Sequence, residues 1–214
     1  MANITVIGGT GYAGRHITAA ASRRGHTVTV LTRTAPSAPL DGVSYLQGDV
    51  FDDVVLAQAF HGADVVIAAL SPRGELTGRM LAAVTALERL SASTHTRLGV
   101  VGGAGSLFVA PGGPTLSGTE EFPDEFKAEA AEMHVVLDYL RGENIDADWF
   151  YISPPAGFGD FAVGEYTGTW RVGDEILLVD EDGQSTISGA DFGEVFITEI
   201  ETPEHHNQRF TVAY

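Results

Sequence analysis

The chain predicts an α/β fold, a doubly wound parallel sheet in a single domain. Three observations carry that expectation. Short apolar runs rich in β-branched residues alternate with amphipathic segments from the first residues onward. One run, residues 63–70 (ADVVIAAL), is almost continuously apolar, as a strand buried on both faces must be. A glycine-rich turn, GGTGYAG at residues 8–14, joins the first run to the first amphipathic segment.

The elements follow in order. Residues 2–8 read as the first strand. Residues 14–24 form a helix with Ile17, Ala20 and Ala21 on one face, stopped by Gly25. Residues 26–33 and 44–50 are the second and third strands. Asp52 caps a helix carrying Val55, Leu56, Ala59 and Phe60. After the fourth strand, residues 75–90 are helical with Met80, Val84 and Leu87 inward. Residues 97–104 are the fifth strand. The stretch 105–121 breaks the rhythm around Pro111-Gly-Gly-Pro114 and is a long loop, of the kind that often serves function. A helix over 124–141 faces Ala130, Met133, Val136, Leu137 and Leu140 inward, and residues 147–155 are the sixth strand. Residues 1–155 thus make a core, which 156–214 extend with short strands, a hairpin at Asp182-Gly183, a helix opened by Ser188-x-x-Asp191 and a final strand over 210–214.

Composition bounds the rest. The 214 residues suit one domain with a sizeable core, and 44% hydrophobic with 19% charged residues is ordinary for a globular chain. The chain has no cysteine, which removes disulfides, thiolate nucleophiles and cysteine-based metal sites. No basic, apolar leader opens it and no run of 18 apolar residues occurs, so a cytoplasmic location is expected. The net charge of −17 is uneven. Residues 1–110 hold eight arginines against seven acids, while the remainder holds 22 acids against four bases. Such a field repels nucleic acid and anionic membranes and leaves the first half as the home for an anionic ligand.

The glycine turn follows a strand and opens a helix, the context in which such spacing is meaningful. Glycines allow the tight turn and let backbone N–H groups approach a pyrophosphate, and the helix N-terminus adds unpaired donors and a favourable dipole. A domain selective for NAD places Asp or Glu about 20 residues further on. This chain has Arg33 there, whose guanidinium suits a 2′-phosphate, with Arg15 placed to assist. NADP is therefore favoured and NAD remains open. Asp49 and Val50, ending the third strand, sit where adenine contacts are usual, although Asp49 also reads as a local cap. Ala69 and Leu70, ending the fourth, border the crevice outside the strand ends.

These residues resemble a known group. VIGGTGYAGR, RGHTVTVLTR, GDVFD and VVGGAGSL, with the later PDEFK, SPP, YTG, LLVDEDGQSTIS and RFTVAY, are similar to the atypical short-chain dehydrogenase/reductases, in particular the NADH-flavin reductase family. More distant likenesses are the biliverdin-IXβ/flavin reductases and the NmrA-like regulators. The resemblance implies a Rossmann core with NADP(H) across the strand ends. It gives the pyrophosphate to Gly8, Thr10, Gly11, Tyr12 and Gly14, the 2′-phosphate to Arg33, adenine to Asp49 and Val50, and the length of the cofactor to Ala69 and Leu70. Ser153, Pro154 and Pro155 would lie near the nicotinamide.

Departures from the family pattern shape the function. Pro123 stands four residues before Lys127, so the Tyr-x-x-x-Lys dyad of carbonyl-reducing members is absent. The serine that biliverdin-type enzymes carry at the end of the fifth strand is replaced by Gly102-Gly103. Reduction of a flavin or quinone-like co-substrate survives these losses better than carbonyl reduction, because the protein mainly supplies orientation. Lys127, the only lysine, is the candidate catalytic residue: it could hold a ribose hydroxyl or an anionic substrate group, or be an exposed first-turn lysine. Phe158 and Phe161 either wall a flat aromatic substrate or pack in the core. His205-His206 lack further ligands for a metal. Two functions remain: an NADPH-dependent reductase of a small-molecule acceptor, and an NADP(H)-sensing regulator acting through protein partners.

Overall fold

The computed structural model describes residues 1–214. Eight strands make one sheet: β1 (Asn3–Ile7), β2 (Thr27–Thr32), β3 (Val43–Gln47), β4 (Val65–Ala68), β5 (Arg97–Val101), β6 (Trp149–Ser153), β7 (Arg171–Gly173) and β8 (Gln208–Ala213). Their order is β3-β2-β1-β4-β5-β6-β8-β7. All neighbours are parallel except β7, which runs antiparallel to β8. The order grows outward from β1 to β3 and then reverses to β4, so the switch point of the doubly wound sheet lies between β1 and β4.

Period-two alternation divides the core. From β4, Val65 and Ile67 face α1 (Tyr12–Arg23) and α5 (Gly189–Glu201). Val66 and Ala68 face the other layer, built by α2 (Asp53–Phe60), α3 (Met80–Thr94) and α4 (Asp124–Leu140). β6 repeats the division, with Phe150 and Ile152 on one side and Trp149 and Tyr151 on the other. No helix is long and apolar enough to cross a membrane.

Local signals explain the element ends. Gly25, at φ 81°, stops α1. Asp52 accepts hydrogen bonds from the amides of Val54 and Val55, and Ser188 from that of Asp191. The Ser188–Asp191 box is one-sided: the Asp191 carboxylate instead accepts from the amides of Thr167 and Gly168, both at 2.8 Å.

Two expectations need correction. The helix expected over 75–90 is a 3₁₀ turn, Gly74–Leu76, followed by a break and then α3. Gly74 (φ 59°) and Gly78 (φ 73°) adopt left-handed backbone that interrupts a helical ladder despite the apolar spacing. The turn at Asp182-Gly183 exists, closed by the Asp180 amide on the Gln184 carbonyl at 2.8 Å, but it joins no strand pair. The antiparallel partner of β7 is β8, far along the chain, so β8 enters the sheet between β6 and β7.

Candidate functional site

The parallel strands all end on one edge of the sheet, and the glycine turn lies there, between β1 and α1. Gly8 has φ 81°, and a Cβ on it would stand 2.4 Å from the Ala69 carbonyl oxygen. A Cβ on Gly14 would stand 2.2 Å from the Gly8 oxygen. Both glycines are required by the protein's own packing. Gly11 is different: its φ is −70°, and a Cβ would have only an ordinary 3.4 Å contact. Nothing within the chain demands glycine at that exposed position, and its missing side chain leaves the helix start open to close approach.

Gly11 is also the N-cap of α1, and it supplies no side chain to cap the helix. The first turn contains no acid, in contrast to α2 and α5, which are capped by Asp52 and Ser188 and carry Asp53 and Asp191. The amides of Tyr12, Ala13 and Gly14 find no backbone acceptor. An uncapped helix start with free N–H groups and no competing carboxylate is an arrangement that favours an anion.

A cleft of about 440 Å³ opens in front of it. It brings together eight of the expected residues: Gly8, Thr10 and Gly11 from the turn, Arg33 from the end of β2, Asp49 and Val50 after β3, and Ala69 and Leu70 after β4. The Thr32 hydroxyl donates to the Thr34 carbonyl at 2.9 Å, so its 3.1 Å contact with Thr10 is donated by Thr10. Asp49 spends one carboxylate oxygen on the Phe51 amide at 2.8 Å, the local cap its position suggested.

Three charged residues of the cleft are not singled out by the sequence: Arg73, Glu75 and Arg79, on the segment after β4. Glu75 pairs with Arg33 at 2.6 Å, Arg73 with Glu129 of α4 at 2.7 Å, and the Arg79 guanidinium lies 3.7 Å from the centre of the Phe51 ring. The available signal was position: a segment holding two arginines and an acid directly follows the carboxyl end of an apolar strand beside the switch point, where such folds bind ligands.

The other expected residues lie outside this cleft. Gly14 is buried under the turn. The Tyr12 ring turns toward α5 and meets His16 and Phe158 edge-on, at 5.2 and 5.1 Å, so what the residue offers an anion is its amide. Arg15 stacks 5.1 Å over that ring and pairs with Asp160 at 2.9 Å. Burial, with Arg15 beside it, pushes His16 below the usual histidine range. Pro154 is buried just past β6. Lys127, half exposed in the first turn of α4, is paired with Asp124 at 2.6 Å.

The two candidate wall residues separate. Phe158 packs into the core on Phe192, 4.4 Å between centroids. Phe161 is 71% exposed and stacks on Phe126 of α4, with centroids 6.5 Å apart and planes 23° from parallel. Phe126 opens its helix on the edge where the parallel strands end, and Phe161 follows β6 on that edge, so the pair bridges the two helical layers across the strand ends.

The missing serine after β5 has a steric cause. A Cβ on Gly102 would stand 2.0 Å from the Tyr151 ring. The Tyr151 hydroxyl accepts from the Gly103 amide at 3.1 Å and donates to the Met133 carbonyl at 3.3 Å. Burial pushes that phenol up to about 12, so it stays protonated. Beyond it, Arg209 is fully buried and reaches Ser153 at 3.2 Å, Ser106 at 3.4 Å and the Glu175 carboxylate.

A glycine turn, an uncapped helix start and a cleft at the switch point together define a dinucleotide-binding protein. The chain belongs to the NAD(P)H-binding family, whose pattern spans residues 8–203. It is 36% identical to YwnB, an uncharacterized protein of Bacillus subtilis, over 98% of this chain and 97% of that protein. A solved structure from Streptococcus pneumoniae TIGR4, described as a "putative NADH-flavin reductase", matches at 32% identity with TM-score 0.86, covering 100% of this chain and 99% of that one. Another, a "putative exported protein" from Burkholderia pseudomallei, matches at 39% identity and TM-score 0.85, covering 100% of both chains.

Proposed function

We propose that the protein is an NADPH-dependent reductase whose hydride acceptor is a small, flat ring compound, a flavin or a quinone. The reading is carried by the start of α1: free amides, no acid, and a Gly11 that the protein's own packing does not require. Those amides bind the pyrophosphate, and the Thr10 hydroxyl joins them by giving up its bond to Thr32. Arg33 takes a 2′-phosphate through its planar fork. Val50, Ala69 and Leu70 give the adenosine and the body of the cofactor an apolar bed.

When bound, the nicotinamide supplies a hydride. The chain's part is to orient the two reactants and keep water away, which by itself provides a large share of a hydride-transfer rate. Phe126 and Phe161 offer an apolar wall to the acceptor, and Lys127, next to Phe126 in the chain, a half-exposed cation that would have to leave Asp124 to meet an anionic group on it. Tyr151 is locked by two hydrogen bonds and remote from solvent, so it delivers no proton. An acceptor that takes hydride on a ring without a proton donor fits that site better than a simple carbonyl. The acidic surface favours such a partner over nucleic acid or an anionic membrane.

The test is to mix the purified protein with NADPH and either FMN or menadione and follow NADPH consumption. Turnover above the protein-free rate is expected. Binding of NADP⁺ without any turnover would replace this reading with that of an NADP(H)-sensing regulator.

A further inference from the structure

The end of β2 presents Arg33 where a domain selective for NAD presents a carboxylate. The fold brings a carboxylate to the tip of that arginine from elsewhere. Glu75, 42 positions further along the chain, accepts a hydrogen bond from Arg33 Nη1 at 2.6 Å. Both residues line the cleft.

This pair does not hold the fold together. Its side chains are 57% and 74% exposed, a setting in which an ion pair adds little to stability. Its position is nevertheless fixed. Glu75 sits on the 3₁₀ turn Gly74–Leu76, between two glycines with left-handed backbone. Arg73 Nε donates to Glu129 and the Gly78 amide to Glu132, both at 2.7 Å, which ties each end of the turn to α4. The other two arginines of the cleft have partners of their own, so Arg33 is the one that Glu75 neutralises.

We infer that Glu75 sets the choice between NADP and NAD, an inference that rests on the cleft being the cofactor site. A 2′-phosphate and the Glu75 carboxylate compete for one guanidinium and repel each other. NADP must therefore displace Glu75 from Arg33. A free 2′-hydroxyl has no such conflict, because it donates to a carboxylate, the role an acid at the end of β2 plays in NAD-selective domains. Arg33 and Glu75 together let one site accept both cofactors, with Glu75 restraining the preference that Arg33 creates.

Calorimetric titration of the full chain with NADP⁺ and NAD⁺ tests this. 2′,5′-ADP and 5′-AMP serve as probes of the adenosine half alone. The wild type is expected to bind both dinucleotides, with dissociation constants within about tenfold of each other. In Glu75→Gln, NADP⁺ and 2′,5′-ADP should bind about tenfold more tightly, the scale of one charge-assisted hydrogen bond, while NAD⁺ and 5′-AMP bind no better or more weakly. The melting temperature of the variant without ligand should match the wild type, which separates the effect from misfolding. Binding of both cofactors with an unchanged NADP⁺ to NAD⁺ ratio in the variant overturns the role of Glu75 and leaves the reductase reading intact. Binding of neither cofactor by either protein overturns both.

Discussion

Gly8 and Gly11 stand three residues apart in one turn and answer to different constraints. Gly8 is held by the chain itself, through its positive φ and the Ala69 carbonyl against its α-carbon. Gly11 is free of both demands. Gly8→Ala is therefore expected to cost more than about 2 kcal/mol of stability, from left-handed backbone strain plus overpacking against a main-chain oxygen. Gly11→Ala should cost at most about 1 kcal/mol, the penalty for alanine at an N-cap, and yet weaken dinucleotide binding because its methyl group occupies the anion's approach. Urea midpoints without ligand, and melting shifts with NADP⁺ on the variant that folds, check the pair. Equal loss of stability in both variants would show that the turn is required only for folding. The same distinction explains what could be read in advance. The GGTGYAG stretch located the turn, but only the backbone angles and the Cβ positions separate the glycines that packing needs from the one that it leaves free.

The helices show where sequence patterns stop carrying information. Apolar spacing located α1, α2 and α4 because each buries one face against the sheet, and the Ser188-x-x-Asp191 signature located α5. The apolar spacing started α3 too early because Glu75 and Leu76 fit a helical period that two left-handed glycines then interrupt. That misread segment is also the one that contributes Arg73, Glu75 and Arg79 to the cleft: the residues most local to the site lie where the pattern was least regular. Phe158 and Phe161 looked alike in sequence because burial depends on β6, α1 and α4 meeting at one edge, a long-range fact. So does the contact of α1 with α5. A Cβ on Gly193 would stand 2.6 Å from the His16 carbonyl oxygen, and one on Gly189 would stand 2.4 Å from the His16 ring. The first obstacle is backbone and the second is a side chain that can rotate. Gly193→Ala should thus destabilise by about 1–3 kcal/mol, and Gly189→Ala by distinctly less. Because α1 carries the free amides, Gly193→Ala should also weaken NADP⁺ binding. Denaturant unfolding combined with titration would detect either failure: equal stabilities, or affinity unaffected by a displaced α1.

At the scale of the molecule, a charge of −17 sets two opposing responses to pH and salt. Mutual repulsion among the acids, concentrated after residue 110, weakens the folded state at neutral pH and is relieved as carboxylates protonate. Against this stand carboxylates that the fold keeps ionised, Glu175, Asp191 and Glu199 among them. Burial is the largest single influence and works to raise Glu175, Asp191 and Glu199, but their partners together outweigh it: Arg209 and Arg141 at Glu175, Tyr214 with the Thr167 and Gly168 amides and Ser188 at Asp191, and His205 with Arg97 at Glu199. All three are held below the usual carboxylate range. A carboxylate whose folded value is depressed contributes stability that is fully present above its unfolded value, near 4, and lost as pH falls through the folded value. The melting temperature should therefore rise or stay level as pH drops from about 8 to about 5, then fall steeply below about 4. Salt provides the control. Near pH 7, raising sodium chloride to about 0.3 M shortens the screening length below 10 Å and should raise the melting temperature, because repulsion exceeds the small worth of the exposed ion pairs. Near pH 4, where about half of the ordinary carboxylates are protonated, the same addition should do less. A salt-induced loss of stability at pH 7 would mean that the exposed ion pairs, which salt screens, outweigh the repulsion on the acidic surface.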